Sequence, residues 1–435
     1  MRTYYLRSFG CQMNDHDAER IRALLEAEGL ERVEVPEQAD LIAYNTCTVR
    51  RSADERFYGH LGEASRIKKL HPERLVVVCG CLAQAEGEAF LDEHPFVDIA
   101  LGPQSIHRLT EVLQLGLRGR GYFDESGPFS GDLPTGRELP FQAWIQVMSG
   151  CSNACTYCIV PRVRGPERSR PAARVLAEVR ALVADGVLEV TLLGQNVNAY
   201  AAPDAGQAEG GSPFAALLSR VDEIAGLERL RFTTSHPKDL SDDLIEAMAT
   251  LPTVCEHLHL PAQSGSQRTL RDMGRGYTMQ QYLERAAAVR QAIPDIAITT
   301  DLMVGFPGET EADFQETLAL VREVGFDGAF TFVFSPRPGT AAASLPGQVP
   351  AAAAGDRIER LVAATQKEGL RRHEGLVGKR VEVLVEGPGR HGDVLRGRSR
   401  QNVTVNFSGD AGPGQLVPVM VEAATSTTLR GRLAS

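Results

Sequence analysis

Six short β-rich runs, separated by stretches of helical periodicity, limit the folds open to this chain more than any other feature of the sequence. The runs cover residues 143–148, 187–193, 229–234, 256–260, 296–304 and 329–334. Helical patterns at 172–185, 242–249, 282–293 and 311–324 lie between them. Strands that alternate with helices form parallel sheets, because each helix carries the chain back to the starting edge. Six such units predict a partial (β/α)6 barrel rather than a closed eight-fold one, and the Gly/Ala-rich insertion at 201–213 reads as a surface loop.

Two further segments flank this core, as a chain of 435 residues requires. Residues 1–118 repeat the alternation, with β-rich runs at 3–9, 40–46 and 74–80 and helical patterns at 15–28 and 53–70. That pattern predicts a doubly wound parallel α/β domain. A stretch rich in Gly, Pro and charge at 119–136 reads as a linker, the barrel domain occupies 137–374, and residues 375–435 change character. There, short strands at 379–386, 394–398, 403–407 and 416–422 are split by Gly-rich turns, as in a small all-β barrel. The chain is thus an α/β multidomain protein with an all-β module at its end. Its net charge of −10 argues against coating nucleic acid by bulk attraction. Residues 367–400 nevertheless carry nine Lys/Arg against five Asp/Glu, and Lys379, Arg396, Arg398 and Arg400 are candidate phosphate contacts. A solvated charged face is the plainer reading of the same residues. No apolar run has the length of a signal peptide or a membrane span, so a cytoplasmic protein without membrane contact is expected.

The chemistry lies in the cysteines. Of eight, three fall within eight residues directly after the first barrel strand, as Cys151-Ser-Asn-Ala-Cys155-Thr-Tyr-Cys158. Structural zinc takes four ligands, commonly in two separated pairs, and this run offers three with no fourth nearby. Three thiolates on an iron–sulfur cubane leave one iron open for a substrate or cofactor. Cys11, Cys47 and Cys81 each follow one of the three N-terminal β-rich runs. Positions after the ends of neighbouring parallel strands share one edge of a sheet, where α/β folds place ligands, although chance placement gives the same spacing. Cys79, two residues before Cys81 in a strand, should share its face; it is an alternate ligand or, on the plainer reading, a structural thiol like Cys255.

The spacing of Cys151, Cys155 and Cys158, with the aromatic Tyr157 between the last two, resembles the signature of radical S-adenosylmethionine enzymes. The segments SFGCQMN, YNTCTVR and GCLAQ ahead of it resemble the methylthiotransferases of that superfamily. The resemblance extends over essentially the whole chain through CTYCIVPRVRGPERSRP, TLLGQNVNAY, HLHLPAQSGS, TTDLMVGFPGET and FTFVFSPRPGT, and the C-terminal module looks like a TRAM domain. It implies two [4Fe-4S] clusters. Cys151, Cys155, Cys158 and Tyr157 would serve the one that binds S-adenosyl-L-methionine, and Cys11, Cys47 and Cys81 an auxiliary one that supplies sulfur. The implied reaction puts a methylthio group on carbon 2 of an isopentenyl-adenosine at position 37 of tRNA, with one S-adenosylmethionine as methyl donor and a second as radical source. The implied partners are that tRNA, an electron donor and a sulfur or cluster supplier, with the chain acting as a monomer. Arg162 departs from the family pattern, in which an aromatic residue is frequent. Gln195, Asn196, Asn198, His236 and Gln263 follow barrel strands, where they would either meet a polar cofactor or satisfy loop backbone. Two alternatives stand beside this reading. One is a sister methylthiotransferase acting on threonylcarbamoyl-adenosine or a ribosomal-protein aspartate; the other is a zinc-stabilised RNA-binding protein without catalysis.

Overall fold

The computed structural model describes residues 1–435 except 49–50, 125–126, 130–131, 207–210, 391, 393 and 435, and the side chains of 51 and 52. Val49 and Arg50 of the YNTCTVR segment, and part of the 201–213 loop, therefore lie outside the described residues. The N-terminal domain is a six-stranded, wholly parallel sheet. Its order is Glu31–Arg32, Thr3–Ser8, Leu41–Thr46, Leu75–Gly80, Ile99–Leu101 and Arg120–Tyr122. The two central strands, LIAYNT and LVVVCG, are buried along their whole length, as apolar strands covered on both faces must be. One face packs on Phe57, Leu61 and Phe90, the other on Ile21, Leu25 and Leu109. The doubly wound expectation is met. Arg120–Tyr122, inside the stretch that the composition marks as linker, instead forms the last strand of this sheet. A three-residue edge strand is too short to show a period, so its pattern is unreadable beforehand.

The central domain holds six parallel strands in two groups of three: Gln142–Gln146, Glu189–Leu193 and Arg229–Thr233, then His257–His259, Ala297–Val304 and Gly328–Val333. A bridge between Leu230 and Val254 joins the groups, so the array curves as a partial barrel. Alternate residues Ile145, Val190, Leu192, Leu230, Leu258, Ile298 and Leu302 pack outward against the helices in one large core. Most intervening positions are polar, and several bond to one another. Arg231 Nε donates to Glu189 at 3.0 Å, and Thr299 Oγ1 lies 3.2 Å from His257 Nε2 and 3.0 Å from His259 Nδ1.

The C-terminal module is a closed five-stranded barrel. Four strands agree with the sequence pattern; the fifth, Thr428–Leu433, pairs in parallel with Thr404–Ser408 and closes it. Its sequence TLRGRL, with two charges and one buried residue, hides the strand period. The module docks on the end of the partial barrel where the strands begin. Arg229 donates to Glu382 Oε1 at 2.9 Å and to the Arg398 carbonyl at 2.9 Å, and Arg231 to the Ser399 and Arg400 carbonyls at 2.7 Å each. Arg400, read as a phosphate contact, is spent in this joint: it pairs with Glu256 at 2.8 Å and donates to the Pro252 and Val254 carbonyls. Arg396 and Arg398 both pair with Glu386 at 3.1 Å, while Lys379 is exposed and only 3.9 Å from Asp295. Among the described residues, no helix is long and apolar enough to cross a membrane.

Candidate active site

Both cysteine trios emerge from the ends of parallel strands. Cys11 is the N-cap of the helix Gln12–Ala27, Cys47 follows Leu41–Thr46, and Cys81 opens the helix Cys81–Glu86. These belong to three adjacent strands, so residues 36 and 34 positions apart in sequence converge on one sheet edge. Two asparagines of the flanking segments clamp the loops together. Asn14 Nδ2 donates to the Thr46 carbonyl at 2.8 Å, and Asn45 Nδ2 to the Asn14 carbonyl at 2.6 Å. Gly10, at φ +137°, lies so close to Cys47 that a Cβ there would overlap the cysteine's own Cβ. A hydrogen bond with Cys47 leads the causes that pull the Cys11 thiol down to about 6 against its burial, with Arg164 adding to it. Burial pushes the Cys81 thiol up, and Arg164 opposes that shift.

Cys79 does not share the environment of Cys81. The strand ends at Gly80, whose φ of +103° turns the chain. Cys79 stays in the core beside Leu6 and Leu101, whereas Cys81 packs against Ile159 and Val163. Burial pushes the Cys79 thiol up to about 12, as for an inert core group. Cys255 is likewise buried.

The second trio lies in a loop without regular structure. It is pinned by Cys151 N to the Gly165 carbonyl at 3.2 Å, Cys158 N to the Cys155 carbonyl at 3.1 Å and Thr156 N to the Met273 carbonyl at 3.0 Å. Gly150, at φ +75°, sets Cys151 under a hairpin: a Cβ there would overlap the Pro166 and Gly165 carbonyl oxygens. Burial raises the thiols of Cys151 and Cys158, the latter to about 12. Tyr157 packs its ring on the cluster of Met273, Phe306 and Phe334. Arg275, which no feature of the sequence singles out, donates Nη1 to Cys155 Sγ at 3.4 Å and Nη2 to the Pro261 carbonyl at 3.1 Å.

Arg275 stacks on Tyr277 at 5.4 Å, and Tyr277 meets the His236 ring edge-on at 5.6 Å. This leads to a group of buried polar atoms past the ends of the second and third barrel strands. Among the described residues, Gln195 Nε2 and Oε1, Asn196 Oδ1, Thr234 Oγ1, Ser235 Oγ and His236 Nε2 have no hydrogen-bond partner. His236 Nδ1 accepts from Lys238 N, so the ring proton is on Nε2, and burial drives the group down to about 2 and keeps it neutral. Buried polar atoms without partners are costly, and such a cluster beside a cysteine trio is suited to a polar ligand. Asn198 is used otherwise, since its side chain bonds both backbone groups of His236, while the Gln263 backbone pairs with Asp301 and Met303.

The short helix Val160–Arg164 joins the trios. Directly after Cys158, the N-cap Ile159 and the helical Val163 bury against Cys81, and Arg164 reaches Cys81 Sγ with Nε at 3.3 Å and Asp17 Oδ2 with Nη2 at 2.7 Å. Arg162, on the same helix, lays its guanidinium over Gly339. Among the described residues, no three His, Cys, Asp or Glu side chains form a group that could hold a metal ion. A cubane does not ask for that convergence, because each thiolate binds a different iron. Three thiols per site and an arginine beside each trio fit such a cluster.

Comparison with known proteins adds three matches to family models. Residues 3–102 match Uncharacterized protein family UPF0004, 145–321 the Radical SAM superfamily and 375–434 the TRAM domain. A tRNA-2-methylthio-N(6)-dimethylallyladenosine synthase from Frankia casuarinae is 48% identical over 99% of the chain and 78% of that protein. One from Moorella thermoacetica is 45% identical over 99% of the chain and 98% of that protein. Among solved structures, the radical S-adenosylmethionine methyltransferase TsrM from Kitasatospora setae superposes with a TM-score of 0.56 at 15% identity, covering 79% of this chain and 75% of that one. That likeness is one of fold.

Proposed function

The chain belongs to the family of tRNA-2-methylthio-N(6)-dimethylallyladenosine synthases, and from that membership we propose how its own residues serve the reaction. It is a radical S-adenosylmethionine transferase that acts on tRNA, converting N(6)-(dimethylallyl)adenosine at position 37 to the 2-methylthio derivative. S-adenosylmethionine and two [4Fe-4S] clusters supply the methyl group, the radical and the sulfur. Cys151, Cys155 and Cys158 hold the cluster that binds S-adenosylmethionine, with Tyr157 walling that site, and Cys11, Cys47 and Cys81 hold the auxiliary one. Gln195, Asn196, Thr234, Ser235 and neutral His236 offer donors and acceptors to the polar parts of S-adenosylmethionine. The protein works as a monomer in the cytoplasm with a separate electron donor and sulfur supplier, and its small barrel grips the tRNA phosphates through Lys379.

One observation carries this assignment: the short helix Val160–Arg164 starts just after Cys158 and reaches Cys81 with Arg164, so both centres can serve one adenosine. The test is iron and sulfide analysis of anaerobically reconstituted protein. Wild type should hold about eight irons per chain and release 5′-deoxyadenosine under a reductant. Cys81→Ala should hold about four, still release 5′-deoxyadenosine, and form no methylthio product. Full methylthiolation by that variant would overturn the two-cluster assignment.

A further inference from the structure

Arg164 is a buried cation where a helix surface would ordinarily carry an apolar residue. It is 5% exposed, and its partner Asp17 is fully buried. A buried ion pair contributes less to stability than the well-packed apolar side chains that could replace it, so stability alone does not account for it. Its placement is specific. The guanidinium donates Nη2 to Asp17 and Nε to Cys81, so one planar cation ties the carboxylate to the thiol. Gln104 Nε2 donates to the Arg164 carbonyl at 3.1 Å and to Ser149 Oγ at 3.0 Å, which fixes the helix end from which the side chain reaches. Cys11 and Cys47, by contrast, contact each other. Arg164 thus holds a fixed cation directly against the Cys81 sulfur.

We propose that Arg164 is a positioning residue which, through Cys81, sets the reduction potential of the auxiliary centre; this rests on the assignment of Cys11, Cys47 and Cys81 to a cluster. Reduction adds negative charge to a cluster, and a hydrogen-bonding cation at a ligating sulfur stabilises the added charge. Arg164 raises the potential, and its partner Asp17 moderates the effect. The electron that starts radical chemistry is delivered to the other centre, so a potential set independently at Cys81 keeps the two clusters distinct.

The experiment is a redox titration followed by electron paramagnetic resonance on reconstituted full-length protein, with iron counted in every sample. Arg164→Gln should move the auxiliary potential to more negative values, and Arg164→Lys should leave it near wild type. Asp17→Asn should move it the opposite way. An unshifted Arg164→Gln with full iron, or an Arg164→Lys shifted as far as the Gln variant, would overturn the role of Arg164. Should Arg164→Gln fail to take up iron, Asp17→Asn decides: an upward shift supports the role, and no shift removes it. The cluster assignment fails separately, if Cys81→Ala retains the iron of wild type.

Discussion

Arg164 and Arg275 each place a guanidinium against one thiol of a cysteine trio, and neither was legible in the sequence. Cysteines announce themselves because thiolate chemistry restricts both residue type and spacing. An arginine is one of 46 basic residues, and its meaning here comes from contacts made across 83 and 120 positions of chain. The flanking asparagines fall between these cases: their motifs marked the site, but their work as clamps between loops appears only in space. Glycine supports the site in a way that can be tested directly. At Gly150 an alanine meets both a positive φ and two carbonyl oxygens, a strain of about 1–3 kcal/mol that the Cys151 loop must relieve by moving. Gly150→Ala should therefore lose about half of the iron, keep the auxiliary signal, and release no 5′-deoxyadenosine. Wild-type iron in that variant would show that the loop tolerates the change.

Elements with a strong period were readable: the central strands of the N-terminal sheet, the six strands of the partial barrel and four of the five in the small barrel. Arg120–Tyr122 and Thr428–Leu433 were not, because short or charge-rich strands take their place from neighbours rather than from their own pattern. The joint between barrel and C-terminal module was equally hidden, and it reassigns Arg400 from RNA to architecture. Lys379 and Arg400 should consequently respond differently when tRNA binding is measured against salt. Lys379→Ala should lower the slope of log K on log salt by about 0.7, as loss of one phosphate contact requires. Arg400→Ala should leave that slope unchanged while making the small barrel easier to release by limited proteolysis. Equal slopes for wild type and Lys379→Ala would remove Lys379 from the RNA contact.

At the scale of the molecule, buried neutral histidines tie stability to pH. Burial lowers His236 to about 2, and lowers His16 and His257 as well. The unfolded chain takes up these protons near pH 6.5 whereas the folded one refuses them, so stability is whole above that value and falls as pH drops below it. Each group costs about 1 kcal/mol per pH unit in that window. His236→Gln should reduce the loss of stability between pH 6.5 and 5, measured from urea midpoints; an unchanged slope would mean that the ring is protonated in the fold. The docking of the small barrel has a consequence of another kind. It sits where the strands begin, and the cysteines sit where they end, so grip and chemistry are separated by one strand length, roughly 20 Å. The protein is in that respect a ruler. A loose nucleoside can occupy one mark on it, but only an RNA stiff enough to hold its shape over that span can be measured against both.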